Sequence, residues 1–168
     1  MNFYNIQHIS FEQIEFFWSQ HLWPERVSQI EPISLINSDG DIDISLRKYQ
    51  PSFYGLFLNK NLIGVASTCQ TNTIEFRLRG ISLNKEFRGL GLSNSLIKKS
   101  FQHILELVDE PVVWTLSRES NFSFYQKYGF VEQKKVQGFE YGPHIILKNF
   151  YPQKTLNMLS ERNSINKV

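Results

Sequence analysis

Six consecutive residues, Arg88, Gly89, Leu90, Gly91, Leu92 and Ser93, carry the most specific chemistry in the sequence. They follow a strand-like run with apolar Leu78, Ile81 and Leu83, closed by polar Asn84, Lys85 and Glu86. Beyond them Leu92, Leu96, Ile97, Phe101, Ile104, Leu105 and Val108 recur at three- and four-residue steps, the single apolar stripe of a helix. A chain that turns from strand into helix through glycines leaves unpaired backbone N–H groups at the helix start, at the positive end of its dipole. Such a start suits a phosphate or diphosphate. Gly89 and Gly91 have no Cβ to keep a bulky anion away from the backbone. Spacing narrows the choice of anion. The dinucleotide fingerprint needs a third glycine where Asn94 stands, and the P-loop needs a Gly-Lys-Ser/Thr that is absent. The hydrolase elbow around Ser93 needs a glycine where Ser95 stands.

A second patterned stretch runs from Asn121 to Phe130, NFSFYQKYGF. Arg88-x-x-Gly91-x-Ser93 after a strand, and an Asn followed by a short helix ending in Tyr-x-Lys-x-Gly-Phe, together resemble the two signatures of the GCN5-related N-acetyltransferase (GNAT) family. Ser93 replaces the family's Gly or Ala, a mild departure because the position mainly requires a small side chain. The resemblance covers Tyr54 to Leu147 well, and Met1 to Pro51 only in general layout.

The resemblance implies acetyl-CoA as cosubstrate. Its diphosphate would sit on the backbone N–H groups from Arg88 through Gly89, Leu90, Gly91 and Leu92 to Ser93, with Arg88 and Lys98 or Lys99 adding positive charge. For the two lysines a solvated helix face is the simpler role. Backbone groups of Ile81, Ser82 and Leu83 would grip the pantetheine arm and the acetyl oxygen, a donor aimed at developing negative charge. Tyr125 occupies the general-acid position. A phenol with a pKa near ~10 keeps its proton at neutral pH and can give it to a departing thiolate. Packing among Phe122, Phe124 and Tyr128 is its competing role. Asn121 would hydrogen-bond the pantetheine amide, cap the following helix, or do both. Some family members carry a glutamate base on the strand before the motif. Glu75, two residues before Arg77, is the candidate here, with relayed water as the alternative.

The implied reaction is acetyl transfer to a primary amine of a small molecule or a protein. A catalytically silent acyl-CoA-binding or regulatory module on the same fold is the alternative, and Tyr125 argues against it. Acetylation of aminoacyl-tRNA by a toxin-like enzyme would call for a dense basic stripe. A formal net charge of +2, with no Lys/Arg cluster longer than two, leads us to expect no nucleic-acid partner.

The 168 residues suit one domain, Met1 to Phe150, with a polar tail from Tyr151 to Val168 read as a weak helix or as disordered and as a candidate dimer contact. Charged residues at 20% and hydrophobic ones at 41% are ordinary for a soluble protein. The start, MNFYNIQ, lacks a basic region followed by an apolar run, so no secretory leader is expected, nor any membrane span. One cysteine, Cys69, fits a reducing compartment, and the cell interior is the expected location. His8, His21, His103 and His144 are scattered without ligand spacing, so no metal is expected.

The elements that must position these residues follow from local pattern. Phe3–Ile9 reads as a strand. Ser10 with Gln13 is a capping box, predicting a helix from Phe11 to about Leu22 that ends before Pro24. A short second helix is expected near Ile33–Ile36, then a turn at Asn37–Asp41. The resemblance makes this early segment part of an acceptor pocket. Arg26 and Glu31 are then either acceptor contacts or, more simply, a solvated ion pair. Ser52–Leu58 and Leu62–Thr68 form a hairpin through Asn59–Lys60–Asn61. Thr73–Leu83 is a longer strand with Arg77 and Arg79 on one face, either paired with Glu75 as a network or holding an anionic acceptor. Val112–Leu116, a helix through Tyr128 ended by Gly129, and the strands Phe130–Val136 and Tyr141–Leu147 complete the chain. The expected order is β-α-α-β-β-β-α-β-α-β-β: an α/β fold whose mixed, splayed sheet carries helices on both faces. Its exposed closing hairpin is a candidate homodimer contact.

Overall fold

The computed structural model describes residues 3–165. Seven strands form one sheet in the order β1-β2-β3-β4-β5-β7-β6. They are β1 (Tyr4–His8), β2 (Ser52–Leu58), β3 (Asn61–Gln70), β4 (Glu75–Leu83), β5 (Val112–Arg118), β6 (Val131–Val136) and β7 (His144–Asn149). β1 to β4 pair antiparallel in succession, β4 and β5 run parallel, and β7 lies antiparallel between β5 and β6. The edge strand β6 is largely exposed and carries Glu132, Lys134 and Lys135, charges that oppose edge-to-edge pairing.

Helix α1 (Phe11–His21) begins at the expected capping box. Ser10 Oγ accepts from the Gln13 N–H, and Gln13 Oε1 accepts from the Ser10 N–H. Its buried residues Ile14, Phe17 and Trp18 join Ile30 and Val65 in a core on one face of the sheet. Helix α2 (Ser93–Leu107) covers the other face, burying Leu96, Ile97, Phe101 and Ile104 against Leu78, Tyr54, Ile63 and Phe130. Each such side chain contributes about 1.5–3 kcal/mol on full burial, so α2 is held mainly by packing. The short helix α3 (Phe122–Gln126) follows a 3₁₀ turn at Glu119–Asn121. Among the described residues no helix is long and apolar enough to cross a membrane.

Two elements differ from the expected order. No helix forms near Ile33–Ile36; Ile36 instead bridges to Ile42 across the turn. Asn37 Oδ1 accepts the N–H groups of Asp39 and Asp41, which settles those donors locally, and only four residues separate Pro32 from that turn. A 3₁₀ helix at Ile44–Lys48 follows. At the other end, the expected polar tail is helix α4 (Pro152–Ile165), with Leu156 and Leu159 in the α2 core. Asn149 sets its entry. Oδ1 accepts from the Tyr151 N–H, while Nδ2 donates to the Tyr128 carbonyl and to Thr155 Oγ1. α4 is thus part of the same core, and residues 166–168 of the tail lie outside the described ones.

Candidate active site

The site begins with a defect in β4. Ser67 pairs with Arg79 and Val65 with Ser82, so β4 spans one residue more than its partner between those two pairs. Gly80 lies in this bulge with φ of +64°, in the left-handed region. Trp18 of α1 covers it, donating from Nε1 to the Gly80 carbonyl at 2.7 Å. The bend changes what β4 can do on its other side. It pairs with β5 only at Glu75↔Val112, Phe76↔Val113 and Arg77↔Trp114. Past Arg77 the two parallel strands part, and the backbone edge of Ile81, Ser82 and Leu83 faces a cleft rather than a strand. Sequence reasoning missed Gly80, although a glycine interrupting a strand pattern is a bulge signal.

The glycine turn closes the β4 end of this cleft. Arg88 anchors it from below: Nε donates to the Leu83 carbonyl at 3.0 Å and Nη2 to the His21 carbonyl at 3.2 Å. Its guanidinium thus ties the turn to β4 and α1 in addition to adding positive charge. Gly89 and Gly91 have φ of +76° and +74°. A Cβ on Gly89 would meet no atom within 4 Å, and one on Gly91 only the Asn94 amide at 3.7 Å, so space lies open over this backbone. No side chain caps α2, and the N–H groups from Gly89 to Ser93 donate to no other backbone group. Unspent donors, open space and a 15-residue helix behind them fit a diphosphate. Lys98 and Lys99 line a cavity of about 300 Å³ between α2 and β1, with Tyr4, Leu56 and Gln102.

Tyr128, which sequence reasoning treated only as packing, joins the two motifs. Its hydroxyl donates to Asn94 Oδ1 at 2.6 Å and lies 3.0 Å from Ser93 Oγ, so α3 is tied to the first turn of α2. Tyr125, one helical turn earlier, is buried, its ring edge-on to Phe124 and Phe130 with centroids 5.0 and 5.5 Å away. Burial pushes its phenol up to about 12, against a hydrogen bond with Thr115 and the charge of Arg77. Thr115 directly follows the last β4–β5 pair, which places the phenol where the strands part. Asn121 is exposed, and its side chain makes no capping bond, so the capping role is not realised.

Other expected residues lie elsewhere. Glu75 stands at the closed end of the β4–β5 pair, eight residues before Leu83, or about 26 Å along the strand. Lys148 Nζ contacts Oε1 at 2.6 Å, and Ser38 Oγ and Asn72 Nδ2 donate to Oε2 at 2.6 and 2.7 Å. Burial alone would raise its pKa, but the bonds from Lys148 and Ser38 outweigh it and hold the carboxyl below its ordinary 4.5. A carboxylate already satisfied by three partners is a poor base. Glu75→Gln is expected to leave turnover unchanged and to cost about 1–2 kcal/mol of stability, less than a fully buried pair because both partners touch solvent. That cost should be present above pH 4.5 and vanish as pH falls through the lowered folded value, which urea titrations at several pH values would read. Arg26 and Glu31 do not form an ion pair. Arg26 stacks on Trp23 and donates to Ser28 and Gln29, and Glu31 offers its backbone carbonyl to Arg79. Burial pushes the Cys69 thiol up to about 11, against the charges of Arg77 and Arg79, which favours the protonated thiol over the nucleophilic thiolate. Among the described residues no group of three or more His, Cys, Asp or Glu is placed to hold a metal ion.

Comparison with known proteins agrees with this architecture. A family model described as the acetyltransferase (GNAT) domain matches residues 44–146. The ribosomal-protein-S18-alanine N-acetyltransferase from Escherichia coli is 16% identical, covering 88% of this chain and 93% of its own, with a TM-score of 0.62. A point mutant of the spermidine N-acetyltransferase SpeG from Vibrio cholerae is 16% identical over 92% and 97%, with a TM-score of 0.63. A GNAT family acetyltransferase from Elizabethkingia anophelis, solved with acetyl-CoA bound, is 14% identical over 88% and 97%, with a TM-score of 0.59. No curated protein matches the chain in sequence.

Proposed function

Because the chain belongs to the acetyltransferase (GNAT) family, we propose that it transfers an acetyl group from acetyl-CoA to a primary amine of a small molecule or a protein by direct attack. The observation that carries this reading is the cleft past Arg77 and Trp114, with free backbone donors at Gly89 to Ser93 on one side and the Tyr125 phenol on the other. The E. anophelis relative with acetyl-CoA bound and relatives named for acetylating spermidine or a ribosomal-protein alanine support the substrate classes.

When bound, acetyl-CoA supplies an activated thioester. The N–H groups of Gly89 to Ser93 hold its diphosphate, and the Arg88 guanidinium keeps that turn in place. The backbone of Ile81 to Leu83, free of β5, grips the pantetheine arm and donates to the thioester oxygen as negative charge grows there. The Asn121 amide, unused in capping, is available to the same arm. Tyr125 delivers its proton to the departing sulfur, with water taking the proton from the amine.

Calorimetry with acetyl-CoA, and thiol release with a panel of amines followed by mass detection of products, test the reading. Heat and turnover are expected. Heat without turnover of any amine would instead make the chain a silent acyl-CoA-binding module. The rate should climb with pH as the amine loses its proton and should not fall again by about pH 10, since Tyr125 keeps its proton up to about 12.

A further inference from the structure

The face of β4 turned away from α2 carries two buried arginines in very different states. Arg79 is satisfied: Nη1 donates to the Glu31 carbonyl at 2.7 Å, and the guanidinium lies 4.9 Å from the Trp18 ring. Arg77 is 8% exposed, stacks 5.0 Å from the Trp114 ring, and makes no hydrogen bond; its Nε and Nη1 are sealed from solvent with no acceptor. Its expected partner, Glu75, is taken by Lys148.

Nothing else on this face neutralises it. Among the described residues the ion pairs are Lys135–Glu119 and Lys148–Glu75, so Arg26, Arg77, Arg79 and Arg118 have none. Glu140 turns its carboxylate to the Val27 N–H and the Ser28 hydroxyl. Arg118 lies over the ring of Tyr141, whose buried hydroxyl is also without a partner. A buried, unpaired guanidinium costs several kcal/mol, and a bound carboxylate removes that cost by accepting charge-assisted bonds.

We propose that this face is the acceptor subsite and that the acceptor is an amine that also carries a carboxylate, which seats on Arg77. The inference rests on the acetyl-transfer reading and names its substrate class. Arg77 holds the last paired position before the cleft opens, and its charge acts on Tyr125. A free amino acid carries both groups on one small molecule. A polycation such as spermidine meets the buried Arg77 charge with no carboxylate beside it and is disfavoured by like charge.

The test pairs each of several amino acids with its own carboxamide, which keeps the amine and removes the anion. The acid is expected to have at least about tenfold higher kcat/KM than the amide, through KM, the effect of one charge-assisted bond. In Arg77→Met that preference should fall to within about twofold, with acetyl-CoA affinity unchanged and partial recovery in Arg77→Lys. Without acetyl-CoA, N-acetylated amino acids should raise the melting temperature of the wild type but not of Arg77→Met. Equal rates for acid and amide, a preference for spermidine, or an Arg77→Met loss confined to kcat and equal for both members would each overturn the proposal. The two readings fail separately. Turnover without preference for acids sinks only the subsite. A carboxylate-dependent shift with no acetyl-CoA heat and no turnover sinks the transfer reaction and leaves Arg77 a carboxylate site without an acceptor role.

Discussion

Tyr125→Phe is expected to lower kcat by about 10²–10³-fold while leaving the acetyl-CoA dissociation constant within about twofold of wild type. The substitution removes one oxygen and keeps the ring that packs against Phe124 and Phe130. The fold should lose only the hydrogen bond with Thr115, about 1 kcal/mol. Binding is expected to survive because the proposed diphosphate and pantetheine contacts would come from backbone at Gly89 to Ser93 and Ile81 to Leu83 rather than from the phenol. What disappears is the proton for the leaving sulfur. Burial suits this task in one respect: a phenol pushed up to about 12 stays protonated throughout the working range. The nearby Arg77 charge pulls the other way and keeps that proton transferable. Single-turnover measurements would separate the chemical step from product release. Full activity in the Phe variant would remove Tyr125 from the mechanism and leave it as a packing residue.

Gly80→Ala is expected to be the most damaging single-methyl change in the chain, costing about 2–5 kcal/mol. Two effects add. The backbone at φ of +64° is strained for any residue with a Cβ, by about 1–2 kcal/mol. The new methyl would also meet Trp18 ring carbons at 2.5 and 2.6 Å, and overpacking of this kind costs a further 1–3 kcal/mol or so. Trp18 cannot retreat freely, since it is fully buried and its indole N–H is bonded to the Gly80 carbonyl. At about 2–4 °C per kcal/mol for a chain of this size, the melting temperature should fall by roughly 4–20 °C. The folded fraction that remains should bind acetyl-CoA more weakly, because relaxing the bulge lets β4 re-pair with β5 and narrows the cleft. Gly89→Ala is the control. It shares the left-handed backbone but meets no neighbour, so it should show the strain alone. An unchanged melting temperature in Gly80→Ala would show that the bulge does not need a glycine.

Much of the fold was legible because its signals are local. The Ser10–Gln13 capping box set the start of α1, the apolar stripe from Leu92 to Ile104 set α2, and the glycines between Arg88 and Ser93 marked the helix entrance. Each depends on residues within a turn or two of one another, whose backbone preferences survive whatever surrounds them. The helix that did not form near Ile33–Ile36 and the tail left open between weak helix and disorder have local and non-local causes respectively. Asn37 drew the chain into a turn where a helix was expected. α4 has too few apolar residues to announce itself, yet Leu156 and Leu159 find the α2 core and Asn149 fixes its first turn.

Sequence alone determined most of the elements, the glycine turn at the start of α2 and the residue types available for chemistry. Tertiary structure decided which charges meet. Glu75 chose Lys148, 73 residues away, over Arg77, two residues away on its own strand. Strand geometry puts Glu75 and Arg77 on one face but in successive positions along it, and β7 brings an ammonium closer. Arg77 was thereby left buried without a partner, and Gly80, in the β3–β4 bulge with φ of +64°, is covered by Trp18 from a distant helix. Secondary structure is written in neighbours along the chain. Partner choice for a buried charge depends on distances and desolvation that exist only once the sheet and its helices have come together.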